Sequence, residues 1–170
     1  MAGGEVVIES FDSKVLKGNA LGDPTRRELA VYLPPKFDPH KHYPAAYAIV
    51  GFTGTGQSLL GVDPLSEDLK SKLDRLILTG RMGPMIVPMP DCFTKVGGNQ
   101  YINSTATGAY DDYLRKEIVP RVERKYRVGR RGIRRAARHS AKRGPLSASR
   151  DGSEGGRRRR YAPGGVVRGL

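Results

Sequence analysis

AAYAIVGFTGTGQ, from Ala45 to Gln57, is an unbroken apolar run that gives way to glycines. It lacks the in–out alternation of a strand with one wet face, and so suits a β-strand covered on both faces, as in parallel sheets. The glycines let the backbone turn sharply where the strand ends, and they leave N–H groups open to an anion or a developing oxyanion. In open α/β sheets ligands sit beyond the carboxyl ends of the strands, so this turn is the first place to look for function.

Working outward, Leu29-Ala-Val-Tyr-Leu33 reads as a short strand closed by Pro34 and Pro35. Met85-Ile-Val-Pro-Met89 is a third apolar run, ended by Pro90-Asp91, although Pro88 within it cannot donate to a central ladder. A helix is expected between the second and third runs. Ser66 is placed to cap it, Glu67 and Asp68 fall in its first turn, and Gly80 stops it. Leu69, Leu73, Leu76 and Ile77 form its apolar stripe. A second helix is expected over 110–126. There Tyr110, Leu114, Ile118, Val122 and Tyr126 recur every fourth residue, Asp111 and Asp112 favour the N-terminal dipole end, and Pro120 should kink or divide the rod. Strands alternating with helices predict an α/β chain with a doubly wound sheet.

The glycine-rich turn does not read as a nucleotide site. No Gly-Lys-Ser/Thr follows it, and its spacing is not G-x-G-x-x-G. A plain glycine-rich βα turn without ligand remains the bland alternative. Further on, Asp91 closes the third strand, and Gly97-Gly-Asn-Gln-Tyr-Ile-Asn-Ser104 is a polar loop before the second helix. Asp91, Asn99, Gln100, Tyr101 and Asn103 are candidates to line a substrate pocket, and an ordinary solvated turn fits the same composition. Cys92 reads as a small buried residue, because nothing near it in sequence marks a low-pKa thiolate. His40 and His42 flank Lys41 in a Pro-rich loop with no further ligand nearby, so no metal site is expected.

Composition divides the 170 residues in two. Residues 1–127 carry 17 Lys+Arg against 15 Asp+Glu, whereas residues 128–170 carry 13 against 2 and nine of the 22 glycines. The formal charge of +13 therefore describes neither part. Residues 1–127 read as the globular portion, and 128–170 as an Arg/Gly-rich tail with too little apolar content to join a core, hence disordered. Such a tail, with Arg157–Arg160 at its centre, suits nonspecific binding to nucleic acid or another polyanion. Only Tyr161 offers a ring for stacking, so base reading would be poor. A single cysteine excludes an internal disulfide framework, no run of about 18 apolar residues suggests a membrane span, and the N-terminus lacks a secretory pattern. The expectation is a soluble, cytoplasmic protein.

An ordered series of short motifs then becomes specific: Gly18-Asn-Ala-Leu-Gly-Asp-Pro-Thr25, Val31-Tyr-Leu-Pro-Pro35, Tyr43-Pro44, Gly51-Phe-Thr-Gly-Thr-Gly56, Pro84-Met-Ile-Val87, Pro90-Asp91, Gly97–Ser104, Thr107-Gly-Ala-Tyr110, Tyr113 and Glu117-Ile-Val-Pro120. Over roughly residues 12–133 this series resembles the putative-esterase family of α/β-hydrolases, which includes enterochelin esterases, S-formylglutathione hydrolases and mycolyltransferases. The resemblance implies hydrolysis of a small acyl ester or thioester by a Ser–His–Asp/Glu triad, without metal or organic cofactor. It places a backbone donor of the oxyanion hole at Phe52 or Thr53, where one donor contributes roughly 3–4 kcal/mol to the transition state. The family usually has His-Gly at this strand end, whereas this chain has Val50-Gly51.

A larger departure follows. The family continues beyond Tyr126-Arg127 into a strand and a G-x-S-x-G elbow, then the acid and the histidine. Arg131-Gly-Ile133 could begin that strand, but no G-x-S-x-G occurs anywhere in the sequence. Ser140 stands near the expected place with Arg138 and Lys142 where glycines belong, and no histidine follows it. The fold expected is thus an incomplete α/β-hydrolase-like doubly wound sheet with a disordered basic C-terminal tail, truncated or frame-shifted and inactive as given. Out-of-frame translation of GC-rich DNA accounts for the Arg, Gly, Ala, Ser and Pro of 128–170, and a genuine polyanion-binding tail is the alternative. A half-sheet with an unpaired last strand predicts marginal stability and aggregation.

Overall fold

The computed structural model describes residues 2–61 and 67–129, together with the backbone of 135–138. Ten elements follow in chain order: β1 (Glu5–Asp12), β2 (Arg26–Leu33), β3 (Ala46–Ile49), α1 (Leu69–Leu78), β4 (Val87–Pro90), β5 (Asn103–Ser104), β6 (Gly108–Ala109), α2 (Tyr110–Asp112), α3 (Val119–Lys125) and β7 (Arg135–Arg138). A short 3₁₀ turn occupies Gly56–Leu60, and a π-helical turn, Tyr113–Ile118, joins α2 to α3.

β1, β2 and β4 pair antiparallel in that order, while β3 and β7 pair parallel. The two groups meet at a parallel bridge between Ala45 and Ile86, with Ala46 N–H donating to the Ile86 carbonyl (3.0 Å) and Ile86 N–H to that of Pro44 (3.0 Å). The spatial order is therefore β1-β2-β4-β3-β7. The sheet is mixed, parallel only from β4 through β3 to β7.

The three expected apolar runs all form strands, and Pro88 explains an irregularity among them. Asp91 N–H donates to the Glu28 carbonyl (3.3 Å), which fixes the alternation of the β2–β4 ladder. By that parity Met89 and Val87 turn their hydrogen-bonding groups toward β2, while Pro88 and Pro90 turn their nitrogens toward β3. A proline nitrogen there cannot donate, so pairing between β3 and β4 stops at the Ile86 bridge. β1 was not anticipated. Its alternation is weak because Val6, Val7 and Ile8 are consecutive, and pairing with all eight residues of β2 is what orders it.

α1 starts later than expected. Asp68 is its cap, accepting from Ser71 N–H at 3.0 Å, whereas Ser66 lies outside the described residues. Gly80 ends it as expected. At φ +70 it closes the helix with its own N–H on the Ile77 carbonyl (3.0 Å) and Arg81 N–H on that of Leu76 (2.9 Å).

Pro120 divides the second helical segment rather than ending it. Its ring would strike the carbonyl four residues back in a regular helix. The π turn just before it widens the spiral, with Val119 N–H bonding to the Leu114 carbonyl five residues back. The widening also shifts the buried stripe. Tyr110, Tyr113, Ile118, Val122 and Tyr126 face the core, with a five-residue step between Tyr113 and Ile118, and Leu114 of the expected stripe is only half-buried.

Two apolar layers result. On one face of the sheet these helical residues pack with Leu16, Leu29, Val31, Leu33 and Ile86. On the other, Leu73 of α1 packs with Ala30, Tyr32, Val87 and Met89, flanked by Leu69 and Ile77. β2 and β4 are thus covered on both sides, and the ends of β3 and β4 carry the loops of interest. No helix among the described residues is long and apolar enough to cross a membrane. The tail beyond Arg138, with Ser140 and Arg157–Arg160, lies outside the described residues, as does Arg131–Ile133.

Candidate active site

β3 ends at Ile49, and the chain turns at once: Gly54 N–H returns to the Gly51 carbonyl (3.2 Å), leaving Phe52 and Thr53 at the apex. Both are exposed, Phe52 at 57%, and among the described residues neither main-chain N–H has an acceptor. Thr55 then caps the 3₁₀ turn, its hydroxyl accepting from Ser58 N–H at 3.2 Å. Gly56 lies hard against β4, where a Cβ would sit 2.2 Å from the Met89 carbonyl oxygen, so only glycine lets the loop approach the strand this closely.

A second loop holds the first in place. Thr94 and Gly97 exchange main-chain bonds (2.7 and 3.0 Å) to close a tight turn, with Gly97 at φ +107. That turn presents Gly97 to the Phe52 ring and Gly98 to the Phe52 backbone, and Gly98 N–H donates to the Phe52 carbonyl at 2.5 Å. Tyr101 reaches back so that its hydroxyl donates to the Val50 carbonyl. Its backbone sits at φ +57, held there by its own N–H on Asn99 Oδ1 (2.7 Å), and Asn99 Nδ2 in turn donates to the Cys92 carbonyl. The Val50–Gly51 and Phe52–Thr53 peptides are thereby fixed by groups from 98–101, and the Gly51–Phe52 peptide between them by Gly54 N–H.

The structure thus brings together Phe52, Thr53, Asn99 and Tyr101, and it separates the other candidates. Asp91 is engaged beside the site: Oδ1 accepts from Phe93 N–H (3.1 Å) and Oδ2 faces Arg27 at 3.4 Å. Gln100 is exposed. Asn103 does not join the loops but accepts from Asp112 N–H (3.0 Å) at the start of the second helical segment. Cys92 is buried as expected, and burial, with the Asp91 charge adding to it, pushes its thiol well above the usual range. His40 and His42 are exposed, with His42 Nδ1 3.0 Å from the Arg127 carbonyl.

Sequence reasoning missed the support beneath the loops. Arg27, 5% exposed, donates to the Phe93 carbonyl (2.8 Å) and the Tyr110 hydroxyl (2.7 Å) as well as facing Asp91. Burial pushes the Tyr110 hydroxyl up to about 12, so it stays protonated. Asp23, also buried, accepts from Lys95 N–H (2.9 Å), and Lys95 Nζ reaches the Leu21 carbonyl (3.0 Å), tying 18–25 to the Thr94–Gly97 turn. Arg27 had a readable signal, because it shares the parity of Leu29, Val31 and Leu33 on the buried face of β2.

Two unshielded main-chain donors at the carboxyl end of a parallel strand, braced from a neighbouring loop, belong to the α/β-hydrolase class of sheet, in which such a loop follows the strand beside the nucleophile strand. Residues 19–141 match the family described as Putative esterase, and the chain belongs to that family. It is 32% identical over 113 residues to endo-1,4-beta-xylanase Y of Acetivibrio thermocellus, a match covering 66% of this chain and 10% of the xylanase. Among solved structures, a ferulic acid esterase superposes with a TM-score of 0.60 at 27% identity, over 74% of this chain and 46% of the other. A ferulic acid esterase from Anaeromyces mucronatus in complex with ferulic acid gives 0.54 at 25% identity, over 76% and 46%. The chain therefore spans less than half the length of these relatives.

Proposed function

We propose that the described residues are the oxyanion side of a carboxylic-ester hydrolase, with the Phe52 and Thr53 N–H groups as donors to the developing oxyanion. The observation that carries this reading is the clamp from 98–101 on the Val50–Gly51 and Phe52–Thr53 peptides, the second of which carries the Thr53 N–H, because donors contribute to catalysis only when they are held in place before charge develops. Asn99 and Tyr101 act as positioning groups, Gln100 and Asp91 border the pocket, and Asn103 serves the helix. An ester with an aromatic acyl group is favoured over a thioester. Phe52, Phe93, Val96 and Ile102 all expose apolar surface around these loops, and the similar solved structures include ferulic acid esterases.

The nucleophile is the missing half of this reading. β7 lies parallel to β3 with Arg138 opposite Ile49, and Ser140 follows two residues later in the sequence. In the sequence Arg138 and Lys142 stand where a nucleophile elbow carries glycines, and no histidine follows Ser140 in the residues given. We infer that these 170 residues do not turn over ester by themselves, with a shifted reading frame after about residue 127 as the cause, and that the substrate of the intact relative would be met in a reducing, cytoplasmic setting. Turnover of an aryl acetate and of methyl ferulate tests this: the expected rate equals that of the denatured control, and hydrolysis above it would overturn the inactive reading. Translating the coding DNA of codons 125–145 in all three frames tests the cause. A frame restoring G-x-S-x-G within about fifteen codons of Ile133 identifies an interrupted esterase. If no frame does, the arginine-rich tail is authentic, and polyanion binding becomes its role.

A further inference from the structure

β1 forms one edge of the sheet, and its backbone parity can be read from the turn that follows it. Ser13 N–H donates to the Thr25 carbonyl (2.8 Å), so the odd-numbered residues of β1 turn their hydrogen-bonding groups inward to β2. Val6, Ile8 and Ser10 turn theirs outward, and among the described residues no strand pairs with that side. Ile8 is 54% exposed at the middle of this edge. An open depression of about 420 Å³ adjoins it on the face of the second helical segment, lined by Phe11 and Pro120 together with the acidic Glu9, Asp12 and Glu117 and basic residues that include Arg121. The Arg121 guanidinium lies 4.5 Å over the Phe11 ring.

We propose that this edge pairs with β1 of a second copy of the chain, antiparallel about a two-fold axis at Ile8. Four antiparallel registers use the outward groups with five or more residues of β1 overlapping, and side chains select among them. With Ile8 opposite the second copy's Ile8, the exposed apolar side chains cover one another, and Val6 meets the second copy's Ser10. On the helical face the second copy's Glu5 then falls opposite Phe11, beneath the Arg121 guanidinium, and its Val7 enters the depression beside Glu9. The register centred on Glu9, of equal overlap, sets that carboxylate against its own copy, like charge on like, and the shorter one centred on Val7 sets Glu5 against Glu9. The one centred on Ser10 overlaps over residues 8–12 alone and leaves Val6 without a partner strand. Pairing ends near Gly4, whose N–H is already committed to Asp74 Oδ1 (2.7 Å). An isologous contact of this kind closes on itself and shields an edge that would otherwise recruit other chains.

The experiment is register-specific crosslinking of the full chain, together with sedimentation equilibrium. Directly opposed residues in a hydrogen-bonded pair have Cα atoms about 5.5 Å apart, within disulfide range. Ile8→Cys should therefore give a disulfide-linked dimer under mild oxidation, and Val6→Cys should not, since its copies lie four residues apart. Buried Cys92 does not compete. So small an interface predicts a dissociation constant on the order of 10–100 µM. Ser10→Pro removes an outward donor and no bond to β2, and should weaken the dimer at least about tenfold. Ile8→Lys, which cannot disturb the backbone, should do the same. A monomer at the highest soluble concentration overturns the proposal, as does a dimer undiminished in both variants or equal crosslinking by Val6→Cys.

Discussion

Gly56→Ala tests the close approach on which the candidate loop depends. A Cβ at this position would lie 2.2 Å from the Met89 carbonyl oxygen, 2.8 Å from its carbon and 2.9 Å from the Pro90 oxygen. All three are backbone atoms of β4, which is held by β2 on one side and buried throughout, so no side chain can swing away. An ordinary carbon–oxygen contact needs roughly 1 Å more than the shortest of these, a displacement that a core packed like a crystal resists. Overpacking of this kind costs typically about 1–3 kcal/mol, and the backbone partners place Gly56→Ala at the upper end. For a domain of this size that is a loss of about 6–15 °C in Tm. Gly83→Ala is the control: a Cβ there meets nothing within 4 Å and the backbone is not left-handed, so the change should be neutral or mildly stabilising. Both are read by circular dichroism during heating and urea titration. Equal midpoints for Gly56→Ala and the wild type would refute the packing of the loop on β4, and equal losses in both variants would show a general intolerance unrelated to it.

Arg27→Leu should lose about 3–5 kcal/mol in urea unfolding, because the buried guanidinium bonds the Phe93 carbonyl, the Tyr110 hydroxyl and Asp91 at once; a loss below about 1 kcal/mol would mean that these contacts are not formed. Tyr101→Phe deletes the hydroxyl on the Val50 carbonyl and should speed amide hydrogen exchange at Gly51–Thr53 with little change in Tm; unchanged exchange removes the clamp from the argument. Cys92 should resist a thiol reagent in the folded chain and react fully in denaturant, and fast reaction of the native chain would contradict its burial. Acid should destabilise through Glu9. Burial raises its pKa, but bonds from Tyr126, Lys125 and Arg121 outweigh that and hold it below 4.5. A carboxylate lowered on folding contributes stability above its unfolded pKa and loses it as pH falls through the folded value, so the Glu9→Gln variant should be less stable at neutral pH and the difference should shrink below about pH 4.5. A difference constant with pH would mean that the charge of Glu9 is not what these bonds recognise.

How far the sequence could be read depended on whether the signal was local. The three apolar runs and the Leu69–Ile77 stripe formed as expected because apolar periodicity alone demands burial. The Val50–Gln57 turn was legible for the same reason, since a strand that runs into glycines must turn. β1 was not, because an edge strand with one partner owes its order to pairing that leaves no local mark. Asn103 looked like its neighbours in the polar loop, and only the return of the chain through β5 and β6 brings it to Asp112 N–H. The π turn escaped because the four-residue stripe named Leu114 while the geometry that accommodates Pro120 turns Tyr113 inward. Tyr101 was named for its polarity, and its φ of +57 and its grip on Val50 are tertiary facts.

The two halves of an acyl-transfer site make different demands on a chain, and under the proposed function this sequence meets only one of them. Donors to an oxyanion are main-chain N–H groups, indifferent to side-chain identity, so Val50 in place of the family's histidine leaves them intact as long as the turn is held. Among the described residues the groups that hold it lie between Leu21 and Tyr110, in bonds from 98–101, from the Thr94–Gly97 turn with its ties to Leu21 and Asp23, and from Arg27 below. A nucleophile is the opposite case. It requires one particular side chain on a tight turn, a partner base, and an acid to orient that base, drawn from elements far apart in sequence. β7 runs parallel to β3 with its last residue level with Ile49, one step from the Val50–Gly51 turn. Under the proposed function position alone cannot compensate for Arg138 and Lys142 where an elbow carries small residues. The loop is therefore held independently of any nucleophile, and a well-formed Phe52–Thr53 turn fits membership of the esterase family without by itself implying turnover.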